Sequence, residues 1–186
     1  MRRTLHILLI GTGLIFAAMS IPVAVMAANQ AQSFMGTKET PNRVEPNKVD
    51  YPALEIQRAD TAESTVSLTD HKGDVILLNT GATWCPPYRR EMPDLETFFC
   101  KHDEEGFVIL GVNVGEEMVT VVKFVDTFHP TFPIWLDPDE STIRALNSFS
   151  LPHSIVIDRD GIVRYTWSGA TCLSKFESTI SPMLCQ

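Results

Sequence analysis

Apolar and polar positions change their spacing several times along the chain, and each change marks an element. VILLNT (residues 75–80) and FVILGVNV (residues 107–114) are predominantly apolar runs of strand length without alternation, the pattern of strands buried on both faces of a sheet. Between them, residues 86–102 place Met92, Leu95, Phe98 and Phe99 at helical spacing, with a kink expected at Pro93. EEMVTVVKFVDTFH (residues 116–129) predicts a second helix with Met118, Val121, Val122 and Val125 on one face, followed by a short strand in TFPIWLD. SIVID (residues 154–158) and IVRYTW (residues 162–167) read as strands joined by a tight turn at Arg159, Asp160 and Gly161. A capping box, Ser174-x-x-Glu177, starts a final helix near Lys175 and leaves Cys172 in the loop before it. Upstream, residues 53–57 and 65–68 are short extended runs that predict an added N-terminal hairpin. The order of elements is that of an α/β domain whose central mixed sheet is flanked by helices. Met92, Phe98, Phe124 and Trp135 belong to its core.

The first residues follow a different rule. Arg2 and Arg3 precede residues 7–27, which carry no charge and end in the small-x-small pattern Val25, Met26, Ala27. This is the outline of a secretory signal, with an uncleaved anchor as the alternative; Pro22 favours cleavage because it ends the apolar helix before the cut. Either way the domain lies outside the cytoplasm. Residues 28–50 show no period and few large apolar side chains, as in a flexible spacer, so the domain itself is expected over residues 51–186. Loss of residues 1–27 removes two positive charges and no negative ones, taking the formal charge from −8 to −10, which argues against nucleic acid as a partner. No Cys/His spacing suggests a metal site, and no cofactor is expected.

The chemistry centres on TWCPPYRREMP, residues 83–93. A cysteine at the first turn of a helix that leaves a buried strand has its sulfur among unpaired backbone N–H groups, at the positive end of the helix dipole, where a thiolate is favoured. Pro86 and Pro87 suit that position because a helix start has no use for their missing N–H groups.

SLTDHKGDVILLNTGATWCPPYRREMPDL, FVILGVNVGEE and SLPHSIVIDRDGIVRYTWSGA, in that order, resemble the TlpA/ResA-like branch of the thioredoxin superfamily over most of residues 51–186. The resemblance implies a thioredoxin-like fold and an extracytoplasmic thiol-disulfide oxidoreductase. Its clients would be thiols or disulfides of secreted or membrane-attached proteins, such as those of cytochrome c or metal-site assembly, with an external reductant or oxidant. It makes Cys85 the attacking cysteine, Trp84 the tryptophan before it and Glu91 the acidic residue of the active-site helix, and it makes Leu151-Pro152 the cis-proline loop that a bound polypeptide would line. Three departures stand out: Tyr88 replaces the resolving cysteine, Thr80 and Gly81 stand where an aromatic pair is usual, and His153 follows the proline where threonine is common.

A tyrosine cannot resolve a mixed disulfide, so Tyr88 is expected as a lid or a hydrogen-bond donor to the thiolate. Cys100 lies 15 residues along the helix from Cys85, roughly 22 Å at helical rise, too far for a bridge. The topology implied by the resemblance brings Cys172 near Cys85 and the far ends of the active-site and final helices together. Cys85 with Cys172 is then a candidate redox pair, and Cys100 with Cys185 a candidate disulfide staple.

Bland roles stand beside these. Cys100 next to Phe98 and Phe99 has the look of a small core residue, His153 that of a satisfied turn histidine rather than of a neighbouring cation that tunes the thiolate, and Arg89 and Arg90 that of a solvated helix face, with Arg89 also able to add to the positive field. Glu116, Glu117 and His129 suggest no more than a helix start and a loop. Two further functions remain open. One is a binding module that holds polypeptide clients in the groove beside Pro152. The other is a thiol peroxidase, weakened because Leu78 and Ala82 stand where such sites carry proline and threonine.

Overall fold

The computed structural model describes residues 45–53, 56–60 and 64–185. The signal or anchor expected over residues 1–27, and the spacer as far as residue 44, lie outside the described residues. Among the described residues no helix is long and apolar enough to cross a membrane.

Three parallel strands form the centre: β4 (Val75–Gly81), β5 (Phe107–Val114) and β6 (Ile134–Asp137). β7 (His153–Ile157) and β8 (Ile162–Ser168) add antiparallel on the β4 side. Both edges are then extended by the N-terminal strands. β1 (Asn47–Pro52) pairs with β8, while β2 (Gln57–Asp60) joins β6 and forms a hairpin with β3 (Thr65–Ser67). The result is one mixed eight-stranded sheet in the order β1-β8-β7-β4-β5-β6-β2-β3. The expected hairpin is present, shifted to residues 57–67, and a strand that sequence reading assigned to spacer begins at Asn47.

The period of two along the central strands sorts their side chains onto two cores. Val75, Leu77, Phe107, Ile109, Val156 and Trp167 pack with α1 (Pro86–His102), α2 (Met118–Phe128) and α4 (Leu173–Leu184). Ile76, Leu78, Leu110, Val112, Ile155 and Val163 form the other core, with Ile143 of the short α3 (Ser141–Ala145) and Leu68 of the 3-10 turn Leu68–His71. Met92, Phe98, Phe124 and Trp135 are buried as expected. In α2 the buried residues are Val121 and Phe124, and Val122 is turned outward, one helical step from the packed stripe. α1 runs through Pro93 as a single helix.

At the end of the sheet away from the first turn of α1, Arg159 gathers backbone oxygens. Its Nη1 donates to Gly73 O (3.0 Å) and Gly106 O (3.2 Å), and its Nη2 donates to Glu105 O (3.1 Å) and Leu184 O (3.3 Å). The turn that carries it is closed by Asp158, whose carboxylate accepts from the Asp160 and Ile162 amides, and by Gly161 at φ 79°.

Candidate active site around Cys85

Four residues separate the last strand residue of β4 from the first turn of α1, and Cys85 is the last of them, the N-cap of the helix. Pro86 and Pro87 open the helix, so the Cys85 side chain makes no capping bond. Its thiol is buried at 5% exposure and donates to the Leu151 carbonyl at 3.5 Å. The Leu151–Pro152 bond is cis, and the Pro152 carbonyl accepts from Gly169 N at 2.7 Å, which ties this loop to the end of β8. Cys85 therefore sits against the loop that sequence reading placed opposite it.

The α1 face of the sheet changes character below this point. From Val75 and Leu77, β4 passes to Asn79 and Gly81, and β5 passes from Phe107 and Ile109 to Gly111 and Asn113. Asn79, Ser154 and Trp167 are register neighbours on β4, β7 and β8, and Asn79 Nδ2 donates to Ser154 Oγ at 2.8 Å. Glu91 lies in this polar layer at 1% exposure, accepting from Thr171 N at 3.3 Å. Asn79 Oδ1, Glu91 Oε2 and Trp167 Nε1 are buried there without a partner. Burial pushes the Glu91 carboxyl up to about 8, against the opposing pull of the Thr171 amide and the Asn79 side chain. Glu91 is thus a carboxyl that carries its proton at neutral pH.

Tyr88 is neither a lid nor a group that a client can touch. It is 1% exposed, its ring stacks on Phe124 at 5.7 Å between centroids, and its hydroxyl is buried without a partner. Burial, with Glu91, Glu116 and Cys85 adding to it, raises its pKa, so the phenol stays neutral. His153 starts β7, opposite Thr80. Its Nδ1 lies 2.9 Å from Ser168 Oγ and its Nε2 3.4 Å from Thr166 Oγ1, and burial lowers its pKa below the ordinary histidine value. It is a neutral ring held by hydroxyls, not a cation beside the thiol.

The last helix starts earlier than its capping box suggested. Cys172 is itself the N-cap of α4, buried, with Sγ 3.2 Å from Ser174 Oγ. Glu177 instead pairs with Lys101 and accepts from Ser181. Cys85 and Cys172 therefore hold the same station on two helices, and the Thr171 bond to Glu91 connects the second station to the active-site helix. No disulfide joins any of the four cysteines. Cys100 and Cys185 are exposed, and Cys100 Sγ faces Glu96 and Thr131, whereas α1 meets α4 through Lys101 and His102.

Sequence reasoning missed Glu116. Its carboxylate accepts from Thr83 N and Thr83 Oγ1, both at 2.6 Å, and from Asn113 Nδ2 at 2.8 Å. Arg89 is also more than a solvated charge: it lies over the Phe128 ring at 5.1 Å and donates to Thr83 O at 3.1 Å. Among the described residues the large exposed hydrophobic side chains are Trp84, Val119, Val122 and Phe149. Trp84 adjoins Cys85, and Phe149 precedes by two positions Leu151, whose carbonyl meets the thiol, whereas Val119 and Val122 stand on α2.

Residues 49–166 match the model of the AhpC/TSA family. The thiol-disulfide oxidoreductase ResA of Geobacillus kaustophilus is 38% identical over 102 residues, 55% of this chain and 59% of that protein. The ResA of Halalkalibacterium halodurans is 34% identical over 133 residues, 70% of this chain and 76% of that protein. The chain spans about three fifths of the length of the two Geobacillus ResA proteins that it matches. Among solved structures, a thiol:disulfide interchange protein of the thioredoxin family from Chlorobium tepidum superposes with a TM-score of 0.67 at 27% identity, over 74% of this chain and 99% of that one. A secreted thiol-disulfide isomerase from Corynebacterium glutamicum has a TM-score of 0.71 at 20% identity, over 80% and 96%, a likeness of fold alone.

Proposed function

The chain belongs to the AhpC/TSA family, with a ResA-like thioredoxin fold, and from this premise we propose that it is an extracytoplasmic thiol-disulfide oxidoreductase working through the single active-site cysteine Cys85. The observation that carries the reading is the Cys85 thiol at a helix N-terminus, held against the Leu151 carbonyl and next along the chain to the exposed indole of Trp84, which suits a polypeptide. The signal-like residues 1–27 support the extracytoplasmic address.

The Cys85 thiolate attacks one sulfur of a client disulfide. A bond forms between Cys85 Sγ and that sulfur, the client S–S bond breaks, and the other client sulfur leaves as a thiolate. Resolution falls to Cys172. Its thiolate attacks Cys85 Sγ, forms the Cys85–Cys172 disulfide and releases the reduced client; an external dithiol then returns the pair to thiols. Run backwards, the same steps oxidise a client dithiol. Glu91, which accepts from the amide of Thr171 next to Cys172, can take up or supply a proton as thiol and thiolate exchange.

Mass-spectrometric mapping of protein quenched in acid from the cell tests this. A reducible Cys85–Cys172 bond, or a client joined to Cys85, is the expected result. Cys85 always free and unlabelled by client, with catalysis of thiol exchange absent, would rule the enzyme out.

The burial of Tyr88 favours a second reading. With the resolving position built into the core, the protein can act as a polypeptide-binding module whose clients lie along Trp84, Phe149 and Pro152. Cys85→Ser separates the two, because a binding module keeps its clients and an oxidoreductase loses turnover.

A further inference from the structure

Residues 82–85 connect β4 to α1, and the backbone bond that closes this turn, Cys85 N to Ala82 O at 3.0 Å, leaves Thr83 and Trp84 to be held by other means. Thr83 has every polar group engaged. Its amide and hydroxyl both donate to Glu116 at 2.6 Å, and its carbonyl accepts from Arg89 Nη1 at 3.1 Å. Glu116 is fixed in turn. Gly115, at φ 74°, turns the chain out of β5 and donates its amide to Asp137 O, and Asn113 Nδ2 donates to Glu116 Oε2 at 2.8 Å. Asn113 is the register partner of Gly81, the residue from which the connecting turn departs. A carboxylate accepting several donors makes stronger bonds than a neutral acceptor, and here the bonds close a loop from β4 through Glu116 back to the turn.

We propose that Glu116 is the positioning residue of the site: its carboxylate holds Thr83 and thereby sets where Trp84 and the Cys85 thiol stand. The inference rests on the reading of Cys85 as nucleophile. Without the clamp, the turn loosens and the Cys85 thiol, held at 5% exposure against Leu151 O, is released to solvent.

The test uses the full chain with iodoacetamide as probe, reading each cysteine separately by mass spectrometry, together with amide hydrogen exchange of the segment around Thr83. Exposed Cys100, near the far end of α1, reports any general loosening in the same molecule. Glu116→Gln and Thr83→Val are each expected to raise the Cys85 rate by about threefold to tenfold, with Cys100 unchanged and the double variant no faster than the faster single one. Amide exchange around Thr83 and Trp84 should speed up in both, and Thr83→Ser, which keeps both donors, should behave as the parent protein. Unchanged Cys85 rates and unchanged exchange in Glu116→Gln would overturn the inference, as would Cys100 accelerating in step. If the parent Cys85 resists alkylation altogether, the oxidoreductase reading fails, and the exchange data alone decide whether Glu116 holds the turn.

Discussion

The Tyr88 ring lies where a side chain on Gly81 would have to begin: a Cβ built on Gly81 would stand 2.2 Å from Tyr88 Cδ2 and 2.4 Å from its neighbours in the ring. The two departures at residues 81 and 88 are therefore one change. A bulky side chain is absent from the strand end and present on the first turn of α1, and the space is filled from the other side.

Stability measurements can check this exchange. Gly81→Ala is expected to destabilise by about 1–3 kcal/mol, because the well-packed Tyr88 and Phe124 must shift. Tyr88→Cys, which restores a Cys-x-x-Cys spacing, should cost about 3–5 kcal/mol through the cavity that it leaves. Adding Gly81→Phe to Tyr88→Cys should recover part of that loss in urea denaturation. Additive losses would mean that the two positions do not share the space.

Glu91 makes stability depend on pH. Its folded pKa of about 8 lies above the ordinary carboxyl value, so the folded state binds the extra proton. The stabilisation is complete below the unfolded pKa and is lost as pH rises through about 8, at a slope of up to about 1.4 kcal/mol per pH unit. Glu91→Gln keeps a neutral side chain at every pH and should flatten the curve between pH 5 and 9. A parent curve that rises over that range would contradict the assignment.

Trp84 and Phe149 are spent on the surface rather than on the fold. Trp84→Ala and Phe149→Ser should leave stability within about 0.5 kcal/mol of the parent. They should nonetheless slow mixed-disulfide formation between Cys85 and a disulfide-containing apolar peptide, measured by stopped-flow with an acid quench. Equal rates for peptide and for a small disulfide in all variants would remove the client surface.

Arg159→Ala should cost about 2–3 kcal/mol in urea unfolding, since a charged donor group serves four carbonyls. The rate of Cys85 alkylation should not change with it, because the two sites lie at opposite ends of the sheet.

Much of this was legible along the chain. The runs at residues 75–78 and 107–112 are apolar at every step because both their faces are covered, and Pro86 and Pro87 mark the helix start beside Cys85. What escaped depends on partners distant in sequence. β1 is a strand because β8 offers it an edge more than a hundred residues later, and its own residues have no strong period. Glu116 gains its meaning from Thr83, 33 residues upstream. The capping box at Ser174 failed because Glu177 is drawn to Lys101 of α1 and Ser181, and the helix takes Cys172 as its cap instead. Tyr88 looked like a surface group because nothing local shows the gap beside Gly81.

Arg159 bears on how the molecule takes a load. On the proposed function, a client joined to Cys85 would pull on the first turn of α1, the helix whose far end is held where Lys101 and His102 meet Glu177 of α4. Just beyond, one guanidinium grips the chain entering β4, the chain entering β5 and the last turn of α4. The fold is anchored at the end opposite the thiol, so under such a load the root of the sheet would stay closed.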